Sequence, residues 1–182
     1  MACGAPVIAS HFLERLTPGR LAKAIEGFGV EVVVAKPTAS GGAYQTVKLR
    51  EGESLDKGPT GPALIQPYLP SIETEGEYSI IFFGGHYSHT VQKTPADGDY
   101  RVQIAHGGEV RSVTPPQDIL EAARTVVAAV GTELLYARVD IVRDLDHRPA
   151  LMELEAIEPE LFIGHLVGDD LLRGALTRAL SA

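Results

Sequence analysis

The amino-acid sequence predicts an α+β fold in two parts, and three observations lead there. A helix and several strands fill the first 69 residues, antiparallel hairpins follow, and helical patterns dominate later. Paired glycines at Gly84-Gly85 and Gly107-Gly108 separate β-rich runs, as two-residue hairpin turns do. After Pro115-Pro116-Gln117-Asp118, the residues Ile119, Leu120, Ala123, Val126, Val127 and Val130 recur at helical spacing and stop at Gly131. The expected boundary separates residues 1–69 from 70–182.

Taken in order, Thr17-Pro18 pairs an N-cap residue with proline at the first helical position, and Gly27 and Gly29 end the helix over Leu21 to Ile25. Val30 to Lys36 is a β-branched strand closed by Pro37, and Tyr44 to Leu49 returns as its partner after the loop Thr38 to Ala43. Residues 51–62 are polar and rich in glycine and proline, an exposed connection before a third strand from Ala63 to Leu69. Glu77 to Phe83 and His86 to Lys93 make one hairpin, Tyr100 to Ala105 and Glu109 to Val113 a second. Past the apolar helix come the strands Ala137 to Arg143 and Leu151 to Glu155, a helical stretch about Glu160 to Leu166, and a last helix from Asp169 to Leu180.

With 182 residues and 45% of them hydrophobic, the chain can bury a sizeable core. A net charge of -8 argues against nucleic acid and lipid as partners, so an anionic substrate needs local cations. The single cysteine, Cys3, rules out an internal disulfide and suits a reducing compartment. No run is apolar and long enough to span a membrane, and no signal peptide opens the chain, which leaves the cytoplasm as the expected location.

The two late strands carry three carboxylates. Alternation puts Arg138 and Asp140 on one face, and Glu153 and Glu155 together on one face of the next strand. A hairpin turning about Asp146-His147 sets Asp140 opposite Glu153, with Glu155 diagonally adjacent. Like charges so placed repel, so something positive belongs among them, and three hard oxygen donors suit Mg²⁺ rather than zinc. Removing one carboxylate is then expected to relieve repulsion and leave stability unchanged or higher. The solvated face of an ordinary hairpin shows the same alternation. His86, His106, His147 and His165 lack the spacing of zinc ligands.

Lys36-Pro37 with its glycine loop, Gln66-Pro67-Tyr68-Leu69, Gly76-Glu77-Tyr78-Ser79, the stretch from Lys93 to Arg101, Asp140, and Glu153-Leu154-Glu155 come in the order found in ATP-grasp enzymes. The chain resembles these carboxylate-amine and carboxylate-thiol ligases over roughly residues 4–165, most of all the glutathione synthetase and ribosomal S6 modification branch and the O-ureidoserine cyclo-ligase group. The resemblance implies an ATP-grasp fold of two subdomains: a small α+β lid subdomain, and an antiparallel sheet with helices. It also implies ATP and Mg²⁺, with Mn²⁺ able to substitute, and a carboxylate activated as an acyl phosphate before an amine displaces phosphate. Small-molecule carboxylates and amines would be the partners. Family members normally carry a further N-terminal α/β domain. The chain is accordingly expected to be a fragment that binds nucleotide without completing ligation, with an uncovered face that favours a homodimer. A non-catalytic ATP-binding regulatory module and a phosphotransferase using the same Mg·ATP site are the alternatives.

Residue by residue, the resemblance gives Lys36 to the α and β phosphates. Ser40, Gly41 and Gly42 offer backbone N–H groups that can close over the triphosphate, although the spacing of a strand-to-helix phosphate loop is absent. Gln66, Tyr68 and Leu69 border the adenine, with Ala35 and Ile65 available for the same slot or for the core. Glu77 meets the ribose, a role for which Glu73 and Glu75 compete. Lys93 and Arg101 are the cations that hold phosphate or substrate carboxylate, with His89 on the face of Lys93 and Gln103 on that of Arg101. Asp140, Glu153 and Glu155 match the three metal positions, the last being a position where Asn is common in the family. Read singly, Lys36 and Arg101 are surface cations and Glu77 an edge-strand charge.

Overall fold

The computed structural model describes residues 4–102, 106–166 and 170–181, so Cys3 and Gln103 lie outside the described residues. The chain divides into two compact units, one spanning Ile8–Leu69 and the other Pro70 onward together with the residues up to Val7.

In the first unit, β1 (His11–Leu13), β2 (Val33–Pro37), β3 (Val47–Leu49) and β4 (Ala63–Pro67) form an antiparallel sheet in the order β1-β4-β2-β3. Helix α1 (Pro18–Phe28) starts as expected, with the Thr17 side chain accepting the Arg20 N–H at 3.3 Å, and ends at Gly29 with φ of 66°. Its Leu21, Ala24 and Ile25 pack into one core with Val33, Ala35, Leu49, Ala63 and Ile65. The β-branched run pairs only from Val33, because the Val30 N–H closes the helix end on the Ile25 carbonyl at 3.3 Å. The return strand is also short, since Tyr44 and Thr46 turn back onto the carbonyls of Gly41 and Ala43. Strand β1, only three residues long, has too little pattern to be seen in the sequence.

The second unit is built on a five-stranded antiparallel sheet, β7-β6-β5-β8-β9, made of β5 (Glu77–Phe83), β6 (His86–Thr94), β7 (Glu109–Ser112), β8 (Tyr136–Arg143) and β9 (Pro149–Glu155). Helix α2 (Ser71–Thr74) leads into β5, α3 (Gln117–Ala129) lies between β7 and β8 in sequence, and a 3₁₀ turn (Ile163–His165) and α4 (Asp170–Ser181) follow β9. Alternation sorts the faces. Tyr78, Ile80, Phe82, Ala137, Val139 and Ile141 pack with Ile119, Ala123 and Val126 of α3. On the other face Ile81 and Phe83 meet Tyr136, Leu161, Phe162 and Leu172. That second face carries the polar residues Glu77, Ser79, Arg138 and Asp140, all buried.

Gly84 and Gly85 have φ of 54° and 74°, as the two-residue turn between β5 and β6 requires. The second expected hairpin is corrected. Tyr100–Val102 forms no strand, and β7 pairs with β6, Val91 facing Ser112. Asp99 explains this locally: its carboxylate accepts the N–H groups of Tyr100 at 2.7 Å and Arg101 at 2.9 Å, groups that a strand would offer to a neighbour.

Beside the sheet, Tyr78 donates to Glu75 at 3.0 Å, and Arg143 joins Glu75 to Asp118 at the start of α3. Burial, then the Glu75 carboxylate, push the Tyr78 hydroxyl up to about 12. A group whose folded pKa is raised stabilises the fold below its unfolded pKa, near 10, and loses that contribution as pH rises towards 12. Urea unfolding at about pH 9 and pH 11.5 should therefore show the wild type losing roughly 2 kcal/mol more than Tyr78→Phe. Equal losses would mean that Tyr78 titrates alike in both states.

Candidate active site

The buried polar face of the second unit is a ladder of directly opposed pairs: Lys93 with Glu77, Ser79 with Asp140, Asp140 with Glu153, and Arg138 with Glu155. The opposition of Asp140 and Glu153 is the one the sequence predicts, but the route to it differs. Arg143 pairs with Pro149, and Asp144 N donates to the Arg148 carbonyl at 2.8 Å, so the turn is centred on Asp146. Ile141 consequently faces Leu151, and a β-bulge at Met152 restores the register so that Asp140 faces Glu153.

Asp140 is the pivot, with 1% of its surface exposed. One carboxylate oxygen accepts from the Ser79 hydroxyl at 2.5 Å, and Arg138 Nε reaches both oxygens at 3.1 and 3.0 Å. Lys93 Nζ lies 3.5 Å from Asp140 and forms its closest ion pair with Glu77. Arg138 also reaches Glu155 at 2.5 Å. Burial alone would lower the Lys93 ammonium, but Glu77 and Asp140 outweigh it and hold it above its ordinary value. Burial raises Glu77 above the ordinary carboxylate range, and Glu153 is raised by partial desolvation of its inner side together with like-charge repulsion from Glu155 and Asp140.

Oxygens of Asp140, Glu153 and Glu155 lie within 4.8 Å of one another. One hard cation with bonds of roughly 2.0–2.6 Å can span that spread, and a set of oxygens alone fits Mg²⁺ or Mn²⁺ better than zinc. The expected positive group among the acids is there already, as Arg138. Sequence reasoning put Arg138 on the face of Asp140 and gave it no role; its place two residues before Asp140 on an alternating strand was the available signal. Ser79 was missed because only the pairing of β5 with β8 brings it to Asp140.

Arg101 is engaged elsewhere, forking onto Asp99 through Nε at 3.0 Å and Nη2 at 2.7 Å. His89 leaves Lys93 and turns to the segment after β9: Nε2 donates to the Leu161 carbonyl at 3.0 Å, which leaves Nδ1 to accept from Ser88 at 2.9 Å. Burial holds this imidazole below its ordinary value. The same segment is tied by Tyr136 to Ile157 at 2.7 Å and by Arg138 to Glu160 at 3.4 Å. Of the competitors of Glu77, Glu75 is taken up by Tyr78 and Arg143.

In the first unit, Lys36 stands opposite Leu64 at the end of β2, and Ser40, Gly41 and Gly42 lie in an exposed turn where a Cβ at either glycine would meet nothing within 4 Å. Gln66 donates to Ser10 at 2.9 Å, Tyr68 stacks under Lys48 with Nζ 3.5 Å from the ring centre, and Leu69 is buried. Ala35 and Ile65 belong to the core.

Comparison with known proteins agrees with this architecture. No family model matches the chain. The cycloserine biosynthesis protein DcsG of Streptomyces lavendulae is 34% identical over 105 residues, 54% of this chain and 35% of that protein. The crystal structure of D-cycloserine synthetase DcsG superposes with a TM-score of 0.80 at 25% identity, covering 99% of this chain and 66% of that one. The ATP-grasp ligase PsnB, solved with a minimal precursor, Mg and ADP, gives a TM-score of 0.68 at 16% identity over 96% of this chain and 54% of that one. D-alanyl-alanine synthetase A from Vibrio cholerae gives 0.69 at 16% identity, over 100% and 62%. The chain thus spans about a third of the curated relative and between half and two thirds of these solved chains. The two-sheet architecture of this chain is the ATP-grasp fold that it shares with these solved structures.

Proposed function

We propose that the protein is an ATP-dependent ligase that joins a small-molecule carboxylate to an amine or a related nucleophile in the cytoplasm. The observation that carries this reading is the convergence of Asp140, Glu153 and Glu155 around Arg138 on paired strands. In the reaction, the substrate carboxylate attacks the γ-phosphorus of ATP and ADP leaves. The amine then adds to the acyl carbon, phosphate departs with the C–O bonding pair, and the amine proton is lost. Phosphoryl transfer of this kind depends on positioning and charge neutralisation.

Asp140, Glu153 and Glu155 would hold Mg²⁺, or Mn²⁺ in its place, and such an ion, when bound, offsets phosphate charge. Lys93, kept protonated by Glu77 and Asp140, and the Arg138 fork supply the fixed positive charge. Ser79 orients Asp140 through its hydroxyl. Lys36 and the turn from Ser40 to Gly42 are assigned to phosphates, Gln66, Tyr68 and Leu69 to the adenine, Glu77 to the ribose and Arg101 to phosphate or substrate carboxylate, all on the family resemblance. The tight Lys93 pair on Glu77 and the Asp99 pair on Arg101 would have to exchange for those last two roles. Among the described residues no helix is long and apolar enough to cross a membrane.

Calorimetry with a nonhydrolysable ATP analogue should detect binding that needs Mg²⁺, and an ADP-release screen over carboxylate and amine pairs, run on this chain beside a version extended at the N-terminus, should find turnover that requires both substrates in the extended version. Folded protein that binds no nucleotide with Mg²⁺ present would overturn the assignment. ADP release driven by a hydroxyl compound alone would make the protein a phosphotransferase, and binding without turnover by the extended version as well would make it a nucleotide-binding module.

A further inference from the structure

We propose that Arg138 is an internal counter-cation that competes with free divalent ions for the carboxylate cluster, so that the metal is taken up with the nucleotide and not ahead of it. The inference rests on the ligase reading above and concerns the order in which its site is loaded.

Arg138 Nη2 lies 2.9 Å from Asp140, 2.5 Å from Glu155 and 3.9 Å from Glu153. One guanidinium therefore faces every member of the cluster. It is also held in place: its side chain is 8% exposed, its backbone lies within β8 opposite Glu155, and Nη1 points to the Glu160 carbonyl at 3.4 Å. Asp140 is further occupied by the Ser79 hydroxyl and by Lys93. With two lone pairs on each oxygen, little acceptor capacity is left on Asp140 while the fork is seated.

A hard cation needs these same oxygens at roughly 2.0–2.6 Å. A divalent ion seated against them would meet the guanidinium as a like charge in a poorly solvated place, where such repulsion is strong. Glu77, Asp140, Glu153 and Glu155 against Lys93 and Arg138 leave a formal excess of two negative charges. The cluster thus attracts cations overall, while its best oxygens are already bonded. A metal–nucleotide complex alters that competition, because phosphate oxygens are an equally good acceptor for a guanidinium fork. Arg138 exchanges carboxylate for phosphate, and the released carboxylate oxygens face the ion that the nucleotide brings.

The test uses the 182-residue chain and the paramagnetic resonance signal of free Mn²⁺, with and without ADP. Without ADP, Arg138→Met should take up Mn²⁺ at least about tenfold more tightly than the wild type, equivalent to about 1.4 kcal/mol. Arg138→Lys should fall between them, since an ammonium cannot fork. ADP should narrow the gap. Nitrogen-15 spectra of the wild-type arginine side chains need no variant: the Arg138 Nε–H resonance should stay in place on adding Mg²⁺ and move when ADP follows. Equal Mn²⁺ affinity in wild type and Arg138→Met, or a resonance that moves fully with Mg²⁺ alone, would overturn the inference and leave the ligase reading standing. Failure of every form to take up Mn²⁺ even with ADP would remove both.

Discussion

Asp140→Asn should lower metal-free stability by about 3–5 kcal/mol, whereas Glu153→Gln should leave it unchanged or slightly raised. The two residues face each other across β8 and β9, yet their surroundings differ. Asp140 is buried and serves as counter-charge to Arg138 and Lys93, both held largely away from solvent. Replacing it leaves Lys93 to Glu77 and Arg138 to Glu155 and removes the buried carboxylate that both cations share, which is the costly way to break a buried ion network. Glu153 keeps 53% of its side chain exposed and meets Arg138 only at 3.9 Å, while neighbouring carboxylates repel it. The expectation from sequence that losing either acid relieves repulsion therefore survives for Glu153 alone. For a chain of this length the Asp140 substitution corresponds to a drop of roughly ten degrees or more in melting temperature. Thermal and urea unfolding of both variants beside the wild type decide it; matched behaviour of the two would mean that Asp140 is not the anchor of the ladder.

Gly76→Ala should be about as damaging, at roughly 3 kcal/mol or more, through the backbone alone. Gly76 has φ of 90°, and an added Cβ would come within 2.4 Å of the Lys93 carbonyl oxygen and 3.0 Å of the Thr94 side chain. Neither the rigid carbonyl of a paired strand nor the left-handed backbone can yield cheaply. The shift that would make room moves β6 at the residue that pairs with Glu77. Gly85→Ala is the control: its φ is 74° but nothing lies within 4 Å, so it should cost only about 1 kcal/mol. If the two variants melt together, the close approach at Gly76 is not a constraint.

The parts of this fold legible in the sequence are those with long or punctuated patterns. The stripe from Ile119 to Val126, the Gly84-Gly85 turn and the alternation around Asp140 each rest on several residues that agree, and each corresponds to an observed element. Tyr100 failed because a single acidic side chain, Asp99, diverted its backbone N–H, an effect that β-propensity does not contain. The metal-type acids were readable because two short strands carried them in register. Arg138 and Ser79 became meaningful only through neighbours distant in the chain, and the ties of His89 to Leu161 cross 72 residues.

The bulge at Met152 bears on how this hairpin can be compared with others. Its turn end and its acidic end are in registers that differ by one residue, so Met152 is a joint between two rulers. A hairpin with one more residue in its turn could dispense with that joint and still present the same three acids. Counting inward from the turn would then match Asp140 to the wrong partner by one place. An alignment anchored on the acids, with the gap allowed at the bulge or in the turn, keeps the chemistry in phase.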